Sequence, residues 1–544
     1  MSALLTITHV IILLGYTLLF VYCNVTILDA QNFTHSVELD AENRYHLYWE
    51  FDDKNITFEV SVQTLGYVGL GFSTNGGMAG SDIIIGWVDG KGKVHVWDCH
   101  ALGNQQPEVD TIQNVKVIYG SQNSSHTTIR FIRSLQTCDR NDTALAPGTV
   151  RLIWAYHEND PDENGLMGYH AESRGTRSVL LLVASRPIIE SPDVIKDMNL
   201  INSQVPIPNR RTLYWCQSFE LPKLNRKHHL IRVEPVIQPG HEFLVHHIVV
   251  YGCLRPVSRA AVNFGHPCYH RAMPADWWHC NAVLLAWSIG GGVHELPSHV
   301  GIPFGVPDDP TLIVMETHYD NPSNHAGIRD SSGLRLILTP ELRQYDAGVF
   351  QTGTVVSGRQ SMVNRTEGIH SIGVIFHSHL LGRGIRLRHF RNGRELELIA
   401  EDKTYDFNLQ VLRYLKEERL VLPGDGLITE CVYNSSQIAT VTFGGLRTVQ
   451  EMCLSFVLYY PRINLTECST IPSQDYLNNF RNPLQRHGTN WVSRLIFRVD
   501  WRGEDTRREF QMYTTRTGTP GFQAQCRNGP QYYMGHSKGY SDPH

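Results

Sequence analysis

Basic blocks, long charge runs and low-complexity tracts are all missing from this 544-residue chain. Its 48 basic and 53 acidic residues are interspersed, and the net charge of −5 offers no electrostatic footprint for nucleic acid. No cysteine pair has CxxC spacing, which argues against a cysteine-built metal site. No HExxH occurs either, so a zinc hydrolase of the helix-borne type has no motif to rest on. No short tandem repeat of solenoid length is found. Beyond residue 23 no apolar run approaches the ~18 residues that a spanning helix needs.

What is present is globular. Hydrophobic residues make up 42% and charged residues 19%, and the length exceeds one hydrophobic core, so three or four domains are expected. Residues Ala3 to Cys23 form an apolar leader, read as a signal peptide or signal anchor; it lacks a positive n-region and an obvious cleavage site, so membrane anchoring through it is a live alternative. Sequons begin at Asn24, Asn32, Asn55, Asn123, Asn141, Asn364, Asn434 and Asn464, and those from Asn32 onward are the candidate glycosylation sites. Together with eleven cysteines they place the chain in the secretory pathway, in the endoplasmic reticulum lumen or membrane or secreted, with a disulfide framework.

Runs such as YHLYWEF, IIIGWV, FLVHHIVVYGC, TLIVMETHYD and EMCLSFVLYYP, each bounded by Gly, Pro, Asn or Asp, predict an all-β chain of sandwiches. Helix is expected only in small pieces such as NLQVLRYLKEE. Composition breaks give a leader at 1–23, a β domain with its linker at 32–184, a second at 199–340, a third at 341–500 and a tail at 501–544.

Histidine, at 27 residues, is the informative excess, because it is the commonest metal ligand. His377 and His379 follow the strand-like run SIGVIF, and side chains at i and i+2 of a strand share a face. An isolated HxH is more often a hydrogen-bonded core pair than a ligand pair. His246 and His247 are adjacent, so both reach one ion only where the strand ends or bulges. His318 follows in the second domain and Met452 in the third. A lone methionine is usually a core filler, but a thioether beside two imidazoles suits Cu(I).

HH, then HY 71 residues on, then HxHLxGR, then EMC with its methionine 73 residues after the last histidine, resembles the copper type II, ascorbate-dependent monooxygenases. TLYWCQSFELP, GDGLITECVYN and LYYP match that family in order, and the first domain resembles its DOMON module. The resemblance implies a DOMON β-sandwich followed by two jelly-roll-like copper sandwiches. It implies two coppers in separate pockets, one held by His246, His247 and His318 and the other by His377, His379 and Met452. Ascorbate would be the reductant, O2 the co-substrate, and an activated C–H of a small molecule, such as a phenethylamine-like one, the position hydroxylated. Tyr214 and His377 correspond to active-site residues; for Tyr214, aromatic packing beside a disulfide is an equal reading. The implied disulfides are Cys216–Cys268, Cys253–Cys280, Cys431–Cys453 and Cys138–Cys526, leaving Cys99 unassigned.

Two departures from the family stand out. The connection from Gly348 to Gly368 is short, which implies a lost strand, an unstable third domain with an unpaired edge, and an orphaned Cys468. Gly252 stands where amine-hydroxylating relatives tend to have an acid, which argues against a catecholamine-like substrate. The competing reading is a secretory-pathway β-sandwich that binds copper or a ligand without turnover. In the first domain, Met78, His95 and His100 are not nominated as ligands, and a structural role is expected. No oligomeric state is legible.

Overall fold

The computed structural model describes residues 33–472, except 41, 184–194, 254–256, 307–308, 311, 354–366, 441, 446–447 and 464, plus the backbone of 522–528 and 531–535. The apolar leader, the sequons at Asn24, Asn32, Asn364 and Asn464, and most of the tail lie outside these residues. Asn123, Asn141 and Asn434 are exposed and Asn55 is half-buried. Among the described residues no helix is long and apolar enough to cross a membrane.

The chain is all-β, as its alternating runs dictate. Two short 3-10 turns, Arg259–Ala261 and Ala275–His279, are the helical pieces among the described residues. Two compact units divide it: Met1–Leu145 with Ile153–Thr176, and Ala146–Leu152 with Arg177–His544.

In the first unit a five-stranded sheet that includes Asn55–Val62 and Thr127–Ser134 faces a six-stranded sheet that includes Val68–Ser73 and Asp82–Val88. Phe58 anchors the core between them, its ring 5.7 Å from Phe72 and 5.6 Å from Phe131. His95 is held by Asp89 and stacked on Trp87, and His100 by Asp110, so both imidazoles have local structural partners. Met78 lines a cavity of about 700 Å³ in this unit.

The second unit contains two sandwiches. In the first, β1 (Thr212–Glu220), β2 (Val245–Cys253), β3 (Cys280–Ser288) and β4 (Leu312–Asp320) form a sheet in the spatial order β1-β4-β2-β3. In the second, β5 (Gly348–Gly353), β6 (Ile369–His377), β7 (Arg413–Val421), β8 (Leu454–Tyr460) and β9 (Leu465–Pro472) run in the order β7-β6-β8-β5-β9. One apolar cluster includes Val245, Ile248 and Met315 of the first sandwich and Ile372, Leu458 and Tyr460 of the second, so the two share a core.

Four sequence expectations are corrected here. NLQVLRYLKEE is not helical: from Arg413 it is β7, paired antiparallel with β6 through Ile369 opposite Val421. Its good helix formers Lys416, Glu417 and Glu418 are exposed on a sheet edge, where charge discourages further pairing and tertiary contact overrides local propensity. The sheet is continuous around the short connection, because β8 is flanked by β6 and β5, and β5 by β9. Cys468 is disulfide-bonded rather than orphaned, and the antiparallel register sets Cys526 opposite it, the kind of neighbour a disulfide can span. Cys138, expected to pair with Cys526, is a free, exposed cysteine at a left-handed backbone position (φ 65°).

Cys216–Cys268, Cys253–Cys280 and Cys431–Cys453 form as expected. Cys99 is free and buried, its thiol pushed up to about 12 by burial. A maleimide titration of the native protein should therefore label Cys138 within minutes and leave Cys99 untouched until denaturant is added. Labelling of neither thiol before unfolding would contradict this arrangement.

Candidate metal centres

β2 and β4 pair antiparallel, and regular pairing would send His246 and His247 to opposite faces. The register slips there: Val245 faces Tyr319, His247 faces His318, and His246 is the extra residue of a β-bulge. The bulge turns both imidazoles inward, so that their Nδ1 atoms lie 3.1 Å apart. Ligand atoms of His246, His247 and His318 all fall within 4.8 Å of one another. Nε2 of His318 lies 3.4 Å from Thr448 Oγ1, while its buried Nδ1 has no hydrogen-bond partner.

β6 ends at His377, so His379 belongs to the following loop and not to the same strand face. A different device orients the two imidazoles. Nδ1 of His377 donates to Gln410 Oε1 at 2.6 Å, and Nδ1 of His379 donates to the Gln450 carbonyl at 2.9 Å. Each bond fixes the ring's orientation and tautomer and leaves Nε2 as the lone-pair donor, the usual arrangement behind a ligating histidine. The rings are 5.1 Å apart and nearly perpendicular. Met452 and His377 line the same cavity. Glu451 holds the loop: its carboxylate accepts from Ser378 Oγ at 3.0 Å, the His379 amide at 3.0 Å and the Leu381 amide at 2.6 Å. Cys431–Cys453 ties down the residue on the other side of Met452.

The two sets are neighbours, not occupants of separate pockets as the sequence led one to expect. His247 and His377 rings are 5.3 Å apart and line one cavity of about 210 Å³, together with Met452, Tyr214, Tyr251, Tyr269, Glu316 and Gln410. Phe407 stacks on His246 at 3.9 Å and lies 6.2 Å from His379, an apolar plate between the sets. Tyr214 stacks on His318 at 4.4 Å, so it packs against a candidate ligand as well as lining the cavity.

Burial, reinforced by neighbouring histidines, pushes His246 and His377 down to about 3 and His247 and His318 well below the usual range. All four are neutral at pH 7, the form that binds a metal. Burial raises Glu316 to about 7, opposed by the hydrogen bond it accepts from Tyr269.

These shifts set an acid sensitivity for metal-free protein. The unfolded imidazoles take up protons near 6.5 whereas the folded ones resist until about 3, so acid favours the unfolded chain. Stability is complete above 6.5 and is lost as pH falls toward 3, by about 2 kcal/mol per histidine at pH 5. Urea midpoints of chelator-treated protein at pH 7 and pH 5 measure this. Equal midpoints would show that these imidazoles are not held neutral.

The family model for the N-terminal domain of copper type II ascorbate-dependent monooxygenases matches residues 198–326, that for the C-terminal domain 347–481, and the DOMON domain model 41–157. DBH-like monooxygenase protein 1 of Mus musculus is 46% identical over 465 residues, which is 81% of this chain and 75% of that one. The chain belongs to the copper type II, ascorbate-dependent monooxygenase family. The Homo sapiens DBH-like monooxygenase protein 1 is 45% identical (82% of this chain, 76% of that one), and Homo sapiens dopamine beta-hydroxylase is 30% identical (83% and 77%).

In this member of the family the donor chemistry fits copper. Three neutral imidazoles tolerate both copper oxidation states, whereas two imidazoles and a thioether favour Cu(I). Buried ring nitrogens such as His318 Nδ1, left without hydrogen-bond partners, are the groups an ion would satisfy. Sequence reasoning missed Gln410, Glu451 and Phe407, which orient or separate the ligand sets. Only Glu451 carried a signal, as the acid preceding the methionine of EMC.

Proposed function

We propose that this chain hydroxylates an activated C–H of a small molecule, using two coppers, O2 and ascorbate, within the secretory pathway. The observation that carries the reading is that His247 of one set and His377 of the other open onto a single cavity, 5.3 Å apart. His246, His247 and His318 would hold one copper, and His377, His379 and Met452 the other. Bound copper supplies the one-electron chemistry that reduces O2 and oxidises the substrate carbon.

The chain's own residues do the rest. Gln410 and the Gln450 carbonyl hold the Nδ1 protons of His377 and His379, so that Nε2 of each ring carries the lone pair that would meet the metal. Phe407, Tyr251, Ile375 and Phe456 give the site apolar walls, which exclude water from a reactive centre. Ser288 Oγ donates to the Gln410 carbonyl, so the residue opposite His247 in the first sandwich holds the residue that orients His377 in the second. The disulfides fit an oxidising compartment.

The test is O2 uptake by purified, copper-loaded full-length chain with ascorbate and a panel of small arylalkyl substrates. Uptake should rise on adding a substrate, in one-to-one proportion with a product that carries one atom from 18O2. A protein that binds two coppers yet consumes no more O2 with any substrate would be a binding protein instead.

A further inference from the structure

Tyr214 stands directly opposite His318 in the register of β1 and β4, and the two rings stack, 4.4 Å apart and 6° from parallel. The Cys268 amide donates to the Tyr214 carbonyl at 2.9 Å, which brings the next residue, Tyr269, alongside with its ring 6.0 Å from that of Tyr214. Trp278 follows, 6.3 Å from Tyr269. In the short turn Ala275–His279 the tryptophan pair splits: Trp277 is 4% exposed and donates to the Ala261 carbonyl, whereas Trp278 is 54% exposed. A row of neighbouring rings therefore leads from a candidate copper ligand to solvent.

Aromatic rings at such distances are also ordinary packing. Two features of Tyr269 go beyond it. Its backbone is left-handed (φ 59°), a strained conformation that bulky side chains seldom adopt and that folds retain mainly where it serves a function. Its side chain reaches the surface, yet its hydroxyl turns inward and donates to the buried Glu316. A phenol with a proton acceptor already in place thus stands between the ligand histidine and the exposed tryptophan. Oxidisable groups crowd the same region: Met452 lines the cavity, and the Cys216 and Cys268 sulfurs lie within 4.8 Å of the Glu316 carboxylate.

We infer that Tyr214, Tyr269 and Trp278 form an escape route for oxidising equivalents, a protective function separate from hydroxylation. It rests on the copper and O2 chemistry proposed above, in the case where the centre is oxidised and no substrate consumes the equivalent. Tyr269 loses one electron, which passes through the stacked Tyr214 and His318 rings to the oxidised copper site, and its phenolic proton moves along the hydrogen bond to Glu316. Trp278 then gives one electron to the Tyr269 radical, and the proton returns from Glu316. The Trp278 radical cation faces solvent, where ascorbate supplies the missing electron and releases a proton to water. One electron has then passed from ascorbate to the copper site, and no side chain has been altered.

The experiment adds hydrogen peroxide to copper-loaded full-length chain without substrate, so that the oxidising equivalent is supplied without turnover. Freeze-quench electron paramagnetic resonance reads the radicals, and peptide mass spectrometry reads the oxidised residues. Metal-free protein reports attack from solution. The wild type should show a copper-dependent tryptophan radical that ascorbate removes, and oxidation products at Trp278. Tyr269→Phe keeps the ring but has no phenolic proton to give up, so Trp278 oxidation should fall to the metal-free level and sulfoxide at Met452 should rise several-fold. Trp278→Phe should leave the radical on Tyr269 and raise Met452 sulfoxide in the same way.

Trp278 oxidation that persists in Tyr269→Phe overturns the route, as does Met452 sulfoxide that is unchanged in both variants. If Tyr269→Phe does not fold, Trp278→Phe, at an exposed position, decides alone. A copper-dependent Trp278 radical in a protein that hydroxylates no substrate would leave the route standing and remove the monooxygenase reading. Substrate hydroxylation with no aromatic radical under peroxide would do the reverse.

Discussion

Replacing His377 by alanine should leave one copper per chain and lower turnover by about a thousandfold or more. The imidazole is buried, its Nδ1 is bonded to Gln410, and it lines one cavity with Met452. His318→Ala should have a similar effect through the other set, since its loss removes one of three converging nitrogens. The double variant is the informative one. If the two sets serve one reaction in one cavity, its turnover should be no lower than that of either single variant, although it binds no copper. Residues that act as a unit give non-additive losses. Metal analysis together with steady-state rates measures this. Multiplicative losses, with residual activity in each single variant, would mean two independent sites.

The second large effect is expected at Glu451, which touches neither candidate copper through its side chain. Its carboxylate accepts two backbone amides and one hydroxyl from the loop that presents His379. Glutamine at this position has one amide group that cannot accept, so at least one loop donor is left without its partner. We expect Glu451→Gln to weaken copper binding at the His377/His379/Met452 set by roughly 10- to 100-fold, the range for residues that orient a ligand. The cost to folding should be about 2 kcal/mol. Competition with a Cu(I) chelator reads the first and urea unfolding the second. Because Glu451 precedes Met452, the copper defect should be confined to this set, and equal weakening of both coppers would point to general unfolding instead.

How far the chain was legible depends on the distance over which each signal acts. Strand-forming runs, turn residues and the ligand types are local properties, and the strands of both sandwiches follow from them. NLQVLRYLKEE misleads because helix propensity is also local, while its strand state comes from pairing with Ile369–His377. The loop placement of His379 was equally hidden, since the same two-residue spacing fits a strand and a strand end. Cys138 and Cys468 show a further limit: the family resemblance gave one pairing, and the register of distant strands places Cys526 opposite the other cysteine.

The sequence by itself determined the all-β class, the family and the six candidate donors, because patterning and motif spacing are written along the chain. Only the tertiary structure decided that the adjacent histidines converge, through a one-residue bulge. It alone set both ligand groups on one cavity and put Glu316 on its wall. Those outcomes depend on register and packing between segments far apart in the chain, and no local pattern encodes them.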